Sequence, residues 1–178
     1  AGQYGPQAVA DALAGGAALP GRLPVTLPAY PAAVPVRYND RQGAAHVYRD
    51  ADEPVLLPFG FGLGALAGVT VDDMRAAADA GSETLAVTLA VSAGPSGARG
   101  ALNLFAHCVG GHRVPRLSML VGSEYLRLEA GQRREVRMAV PFPSLMDAGD
   151  GMVRVRLTAL GRTIDVDVDV DVDVARGR

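Results

Sequence analysis

The stretch near the end of the chain carries the strongest constraint on its fold. Between Ile164 and Val174, aspartates at positions 165, 167, 169, 171 and 173 alternate with valines. Successive side chains of a β-strand point to opposite faces, so a period of two puts every valine on one face and every aspartate on the other. The alternation therefore predicts a strand with one buried face and one solvent-exposed face.

Further strands at regular spacing lead up to this one. We predict them at Thr84–Ser92, Ala101–Val109, Tyr125–Leu128, Arg134–Val140, Met152–Leu160 and, last, Thr163–Val174. Turn clusters separate them at Gly94–Gly97, Gly110–Gly111, Ala130–Gly131 and Asp147–Gly151. Strands in series favour an all-β antiparallel sandwich over an α/β fold. Arg154 and Arg156 alternate on their own strand and are expected to lie across from some of the aspartates.

The front of the chain has a different character. Prolines at 6, 20, 24, 28, 31 and 35 predict an extended, apolar N-terminal arm over residues 1–36, with one or two helical turns at Gln7–Leu13. The arm should lie against its own domain or a neighbouring subunit. Residues 37–178 form the sandwich domain, with a strand at Gly43–Tyr48, a turn at Asp50–Pro54 and an apolar stretch at Val55–Phe61.

One short helix is predicted within that domain, from Val71 to Ala80. Thr70 is a suitable N-cap, Asp72 and Asp73 would lie in the first turn, and Gly81 follows the end.

Composition excludes several classes of protein. Nine aromatic residues, none of them Trp, predict an aliphatic core, and a net charge of -2 without a basic run gives no general field for nucleic acid. Cys108 is the only cysteine, so no internal disulfide can form. No stretch approaches 18 apolar residues, so we expect no membrane span. The start has no Met and no leader pattern, which predicts release from a longer precursor or a trimmed chain.

The segment Phe59–Ala67 contains Gly62-x-Gly64-x-x-Ala67, the pattern of dinucleotide-binding turns. That pattern requires a helix to begin inside it and a βαβ unit around it, whereas Gly68 and a series of strands follow. We interpret the segment as a Gly-rich bend at the rim of the sandwich and predict no cofactor.

Two other groups could suggest a metal ion. His107, Cys108 and His112 are close in sequence, but adjacent strand residues point to opposite faces, so His107 and Cys108 should not converge. The aspartates of the last strand lie along a line and not around a loop, so a solvated or Arg-paired face is preferred over a weak cation site. We predict no metal site.

Neither of two remaining features predicts catalysis. Ser96 lies in Gly94-Pro95-Ser96-Gly97, misses the spacing of a nucleophile elbow and is interpreted as a turn serine. An arginine-rich stretch would face an acidic partner or solvent; its members are Arg113, Arg116, Arg127, Arg133, Arg134 and Arg137. No nucleophile, base and orienting group can be assembled, so we predict no catalytic residue and no enzyme.

From Glu83 onward the order of segments resembles the coat proteins of picorna-like viruses. Thr84–Leu89, the turn at Ala93–Ser96 and Gly100–Phe105 are similar to that family's strands C and D. A strand that ends at the corner Pro141-Phe142-Pro143-Ser144, followed by Gly151–Leu157, continues the likeness.

The resemblance implies a jelly roll that assembles with copies of itself and other coat proteins into an icosahedral virion around an RNA genome. It further implies location in the virion and the host cytoplasm, at most weak contact with RNA, and an unassigned host receptor. The alternative is a non-viral β-sandwich binding, adhesion or surface-layer module of a GC-rich bacterium.

Overall fold

The structure of this chain is a computed structural model that describes residues 2–16, 19, 21–33, 37–41, 53–64, 66–79, 81–110, 113–145 and 151–170. One α-helix, α1, spans Gly5–Leu13, and short 3₁₀ turns lie at Pro31–Ala33 and Phe142–Ser144. The strands are β1 Leu27–Pro28, β2 Val55–Leu57, β3 Val69–Asp79, β4 Thr84–Ala93, β5 Ala98–Val109, β6 Met119–Leu128, β7 Arg133–Pro141, β8 Gly151–Ala159 and β9 Arg162–Val170.

Strands β3 to β9 form two antiparallel sheets. The first has the order β3-β4-β7 and the second the order β6-β5-β8-β9, while β1 and β2 pair as a separate small ribbon. The predicted all-β antiparallel sandwich with one short helix is confirmed. Its strand order is not that of the predicted jelly roll, which uses eight strands in two Greek keys. Seven strands divided three and four give the immunoglobulin-like arrangement, with the fourth strand placed beside the third.

The core lies between the inner faces of the two sheets and is aliphatic, as predicted. Leu85 and Leu89 on β4 face Leu102 and Leu104 on β5, and all four are fully buried. Val153, Val155 and Leu157 continue the inner face on β8. Alternate inward side chains of two twisted sheets interdigitate in this way, since each sheet has one apolar face to remove from water.

The predicted strands from Thr84 onward are confirmed, with ends shifted by a few residues. The hairpin between β8 and β9 turns at Leu160 and Gly161, whose φ angles of 45° and 81° are those of a two-residue type I′ turn. Only part of the aspartate-rich strand, up to Val170, is described; Asp171 and Asp173 lie outside the described residues. The strand predicted at Gly43–Tyr48 and most of the turn at Asp50–Pro54 lie outside them as well.

The helix predicted at Val71–Ala80 is wrong, because these residues belong to β3. Pairing with β4 shifts register between Val71 and Asp73, which leaves Asp72 as the extra residue of a bulge. The bulge stretches the spacing of the inward residues Val71 and Met74 to three, and this spacing imitates a helix. Ladder hydrogen bonds and the burial of Met74 outweigh the local helix signals.

The helical turns predicted at Gln7–Leu13 are confirmed by α1, and none of its residues is buried. Residues 21–33, here called the N-terminal segment, lie against the chain's own domain. The Leu23 amide donates to the Phe61 carbonyl and the Gly60 amide to the Leu23 carbonyl, both at 2.8 Å. The boundary predicted at residue 36 falls outside the described residues, so the division into arm and domain stays a prediction.

Candidate functional site

The outer face of the four-stranded sheet holds several of the polar residues named in the sequence analysis. On β5, even-numbered residues from 100 to 108 are buried and odd-numbered residues from 101 to 107 are half-buried on the outer face. Cys108 is 1% exposed in the core, whereas His107 lies outside. The prediction that these two side chains do not converge is confirmed. His112 lies outside the described residues.

The outer faces of β8 and β9 carry two bidentate ion pairs. Arg154 bonds Asp167 at 2.9 and 3.3 Å, and Arg156 bonds Asp165 at 2.8 and 2.9 Å. Hydrogen bonds from the guanidinium groups lower the pKa of both carboxyls, and the same contacts raise the pKa of both arginines. The preferred reading of this face as Arg-paired is confirmed for these two aspartates.

Arg22 fixes the N-terminal segment to the sheet. Its Nε donates to the Ala101 carbonyl on β5 and its Nη1 to the Gly60 carbonyl, both at 2.8 Å. Partial burial lowers the pKa of this guanidinium through desolvation. A single side chain thus joins the segment, the Gly-rich loop and the central strand of the sheet.

Three aromatic rings cluster over β5 beside this segment. Tyr38 stacks on Phe59, with ring centroids 4.1 Å apart and an interplanar angle of 12°. Phe105, on β5, meets both rings edge-on at 6.3 and 6.1 Å. The two edge-on contacts are a preferred aromatic geometry, whereas the stacked pair is closer than the usual centroid distance of about 4.5 to 7 Å. The cluster therefore holds one third of the chain's nine aromatic residues on the outside of an aliphatic sandwich.

A loop before β6 forms the opposite wall. The Leu117 amide donates to the Asp40 carbonyl at 2.7 Å, and Nη1 of Arg116 donates to the Asn39 carbonyl at 2.9 Å. His107 Nδ1 lies 2.7 Å from the Arg116 carbonyl. Because a carbonyl only accepts, Nδ1 carries the proton of this bond, and Nε2 of a neutral His107 is left as an acceptor.

The aromatic wall and this loop enclose an open groove of about 590 Å³ on the sheet. It is lined by Tyr38, Pro58, Phe59, Phe105, Ala106, His107, Leu117, Ser118, Arg156 and Thr158. The volume is within the range of small-molecule sites, roughly 300 to 1,000 Å³. Its walls are mostly apolar and carry a few polar groups, which is typical of small-molecule sites.

The remaining candidates are dispersed. Ser96 is an exposed residue of the turn between β4 and β5, as predicted. Residues 61–64 run as a loop between β2 and β3, and the described part of the fingerprint starts no helix. Within the described ranges, no three His, Cys, Asp or Glu side chains converge as metal ligands.

The arginine-rich stretch does not form one patch. Arg137 pairs with Glu135 on the outer face of the three-stranded sheet, whereas Arg127 lies on the outer face of the other sheet. Arg134 reaches Glu124 at 3.1 Å near the edge where β6 approaches β7. Arg113 and Arg133 are exposed, and Arg116 is tied to residue 39 as described above.

Sequence reasoning missed the groove. Its rings come from positions 38, 59 and 105, which no local pattern joins. Phe59 belongs to the Gly-rich segment, and no sequence pattern points to Tyr38. The sequence offered one indirect signal of the cluster. If the core is aliphatic, as the composition predicts, the aromatic rings must lie outside it.

Comparison with known proteins places the fold among bacterial β-glucosidases. A β-glucosidase involved in saponin metabolism from intestinal bacteria superposes with a TM-score of 0.76 at 19% identity, over 93% of this chain and 24% of that one. A β-glucosidase from Erythrobacter marinus gives 0.74 at 21% identity, over 92% and 23%. A mutant β-glucosidase from Listeria innocua in complex with laminaribiose gives 0.74 at 18%, over 92% and 26%.

This chain thus spans about a quarter of the length of each of those proteins. No protein-family model matches the sequence, and neither does any curated protein. At these identities the likeness shows the fold, an immunoglobulin-like sandwich that also occurs within larger glucosidase chains.

These matches overturn the resemblance to picorna-like coat proteins. The coat-subunit function and the virion and host-cytoplasm locations are wrong, because the matching structures belong to bacterial glucosidases. The prediction that the chain is no enzyme is contradicted by the same finding, since its fold is found in parts of enzymes. The likeness at Thr84–Phe105 and at the Pro141–Ser144 corner reflects strand and turn chemistry that many sandwiches share.

The alternative of a non-viral β-sandwich module agrees better with the matches. Across the described residues, no helix has the length and apolarity needed to cross a membrane.

Proposed function

We propose that this chain is a β-sandwich module of a larger β-glucosidase-type glycoside hydrolase. The observation that carries the proposal is the extent of the match, which covers 92 to 93% of this chain but only 23 to 26% of three β-glucosidases. A module that recurs nearly whole within longer enzymes is best explained as one of their domains.

Within such an enzyme, we infer that the reacting carboxylates come from outside this sandwich. Most glycoside hydrolases use two carboxyl groups that flank the scissile bond, at about 5 to 9.5 Å from each other. Among the residues that the structure describes, no Asp or Glu lines the groove. Asp165 and Asp167 are held in bidentate bonds to arginines, and the guanidinium groups keep their pKa values low, which suits neither a general acid nor a free nucleophile.

An activity assay on the complete natural polypeptide tests this proposal. We expect that polypeptide to hydrolyse p-nitrophenyl β-D-glucopyranoside, while the 178-residue chain alone does not. The α-glucoside serves as the matched control substrate, and it should remain intact.

Three outcomes would overturn the proposal. They are a complete polypeptide no longer than this chain, a longer one without β-glucosidase activity, and hydrolysis by the 178-residue chain alone.

A further inference from the structure

The groove over β5 pairs an aromatic wall with a hydrogen-bonding floor. We propose that it binds a neutral pyranoside, as a sugar-binding site of the sandwich itself. The choice of sugar as the ligand class rests on the proposed function, whereas the existence of the site rests on the groove.

The floor is formed by His107 and Phe105 on β5 and by Arg156 and Thr158 on β8, which belong to two cross-strand rows. His107 on β5 is opposite Arg156 on β8, which is opposite Asp165 on β9. In the next row, Phe105, Thr158 and Thr163 are opposite one another. Neighbouring strands lie about 4.8 Å apart and rows on one face about 6.8 Å apart, so these four side chains lie close together on one patch of the sheet.

The polar groups favour a neutral polyol over an anion. Arg156 lines the groove, and its charge is balanced by Asp165, which pairs with it from β9 outside the lining. His107 Nε2 adds an acceptor, because its Nδ1 is committed to the Arg116 carbonyl. A phosphate or carboxylate would need an uncompensated cation, whereas a hydroxyl both donates and accepts.

The apolar wall supplies the second half of pyranoside recognition. Tyr38, Phe59 and Phe105 all line the groove, and their mutual contacts hold them in place before any ligand arrives. The C–H groups of a pyranose ring carry slight positive charge, and the face of an aromatic ring carries slight negative charge. A sugar lying on the floor would therefore place C–H groups against these rings.

Titration of the ¹⁵N-labelled 178-residue chain with methyl β-D-glucopyranoside and with laminaribiose, followed by amide and imidazole NMR shifts, tests the site. Shifts should localise to Tyr38, Phe59, His107 and Ser118. Loss of one hydrogen bond or one ring contact typically costs about fivefold or more in Kd. Tyr38→Leu and Arg156→Gln should each weaken binding by at least that factor.

The chain offers a matched control for each variant. Tyr125 is 55% exposed on β6 of the same sheet but outside the groove, so Tyr125→Leu should bind normally. Arg154 forms the same bidentate pair one row further along the strands, also outside the groove, so Arg154→Gln should bind normally too. Thermal melts of all four variants identify any that fail to fold, and Ser118→Ala, at a half-buried loop position that lines the groove, replaces a failed groove variant.

Several outcomes overturn the site. The first is no localised shift at about 50 mM sugar, a concentration that would nearly saturate a site with a Kd of about 1 mM. The others are equal weakening by groove and control variants, and tighter binding of inorganic phosphate at the same residues. Failure of the site leaves β-glucosidase activity of the complete polypeptide in place. Conversely, sugar binding without that activity supports the site and overturns the proposed function.

Discussion

The core of this sandwich and the aromatic cluster on its outer face are built from different side chains for different tasks. The core is aliphatic, buried and supplied by residues of seven strands, β3 to β9. The cluster consists of three half-buried rings from positions far apart in the chain, one on β5 and two from the segments that cover it. The core determines that a sandwich forms, whereas the cluster lies beside the N-terminal segment and forms one wall of the groove.

The two regions should also differ in what their loss does. Removing core volume leaves a cavity between two sheets that cannot close, so the whole domain loses stability. Removing a ring from the cluster should loosen the N-terminal segment, which we expect the sandwich not to need in order to fold. Four changes, from the largest expected effect to the smallest, test whether the regions are separable in this way.

Truncation of a core leucine should have the largest effect. Leu104 is fully buried at the centre of β5, so Leu104→Ala should lower the free energy of unfolding by about 2 to 5 kcal/mol. Urea unfolding monitored by circular dichroism measures the change. Leu160→Ala, at a turn position that is 37% exposed, is the matched control and should change stability little. A loss below about 1 kcal/mol for Leu104→Ala would mean that the core relaxes around the cavity.

Truncation of a ring in the cluster should have a smaller and more local effect. Phe59→Ala removes the stacking partner of Tyr38, and we expect a loss of about 2 kcal/mol, below that of a buried phenylalanine. Hydrogen exchange should accelerate at the Leu23 and Gly60 amides while core amides of β4 keep their protection. Tyr125→Ala is the control. Uniform acceleration across β4 would show that cluster and core unfold as one unit.

Loss of the Arg22 guanidinium should also loosen the N-terminal segment, but it should lower the free energy of unfolding less than Phe59→Ala does. Arg22→Gln shortens the reach to the Ala101 and Gly60 carbonyls, and loss of such bonds typically costs about 1 kcal/mol. Exchange at the Gly60 amide is the measurement, and exposed Arg127→Gln is the control. Protection that is unchanged at Gly60 would mean that the aromatic rings alone hold the N-terminal segment.

The sequence could predict the core far better than the cluster. Alternation at 84–92, 101–109 and 164–170 is a local signal with the period of a strand, so both the strands and their inward residues could be predicted. The same signal failed at β3, because the bulge at Asp72 breaks the period and leaves a spacing that resembles a helix. The groove could not be predicted, since Tyr38, Phe59 and Phe105 meet only after the chain has folded back over β5.

The ion pairs on β8 and β9 should make the smallest contribution, and one that depends on pH. Arg156 and Arg154 hold the pKa values of Asp165 and Asp167 below the ordinary value of about 3.9. Between the folded and unfolded pKa values the unfolded chain binds more protons, so the contribution is complete above about pH 4 and is lost as pH falls through the folded pKa values. Both pairs are exposed to solvent, so the effect is small.

The double variant Asp165→Asn/Asp167→Asn should therefore lose less stability than the natural chain between about pH 5 and pH 2. Urea midpoints across that range provide the measurement. About 1 M NaCl screens exposed charges and should bring the two profiles together, because the Debye length falls to about 3 Å. Parallel profiles at low salt would show that the two ion pairs do not contribute to the stability of the folded state.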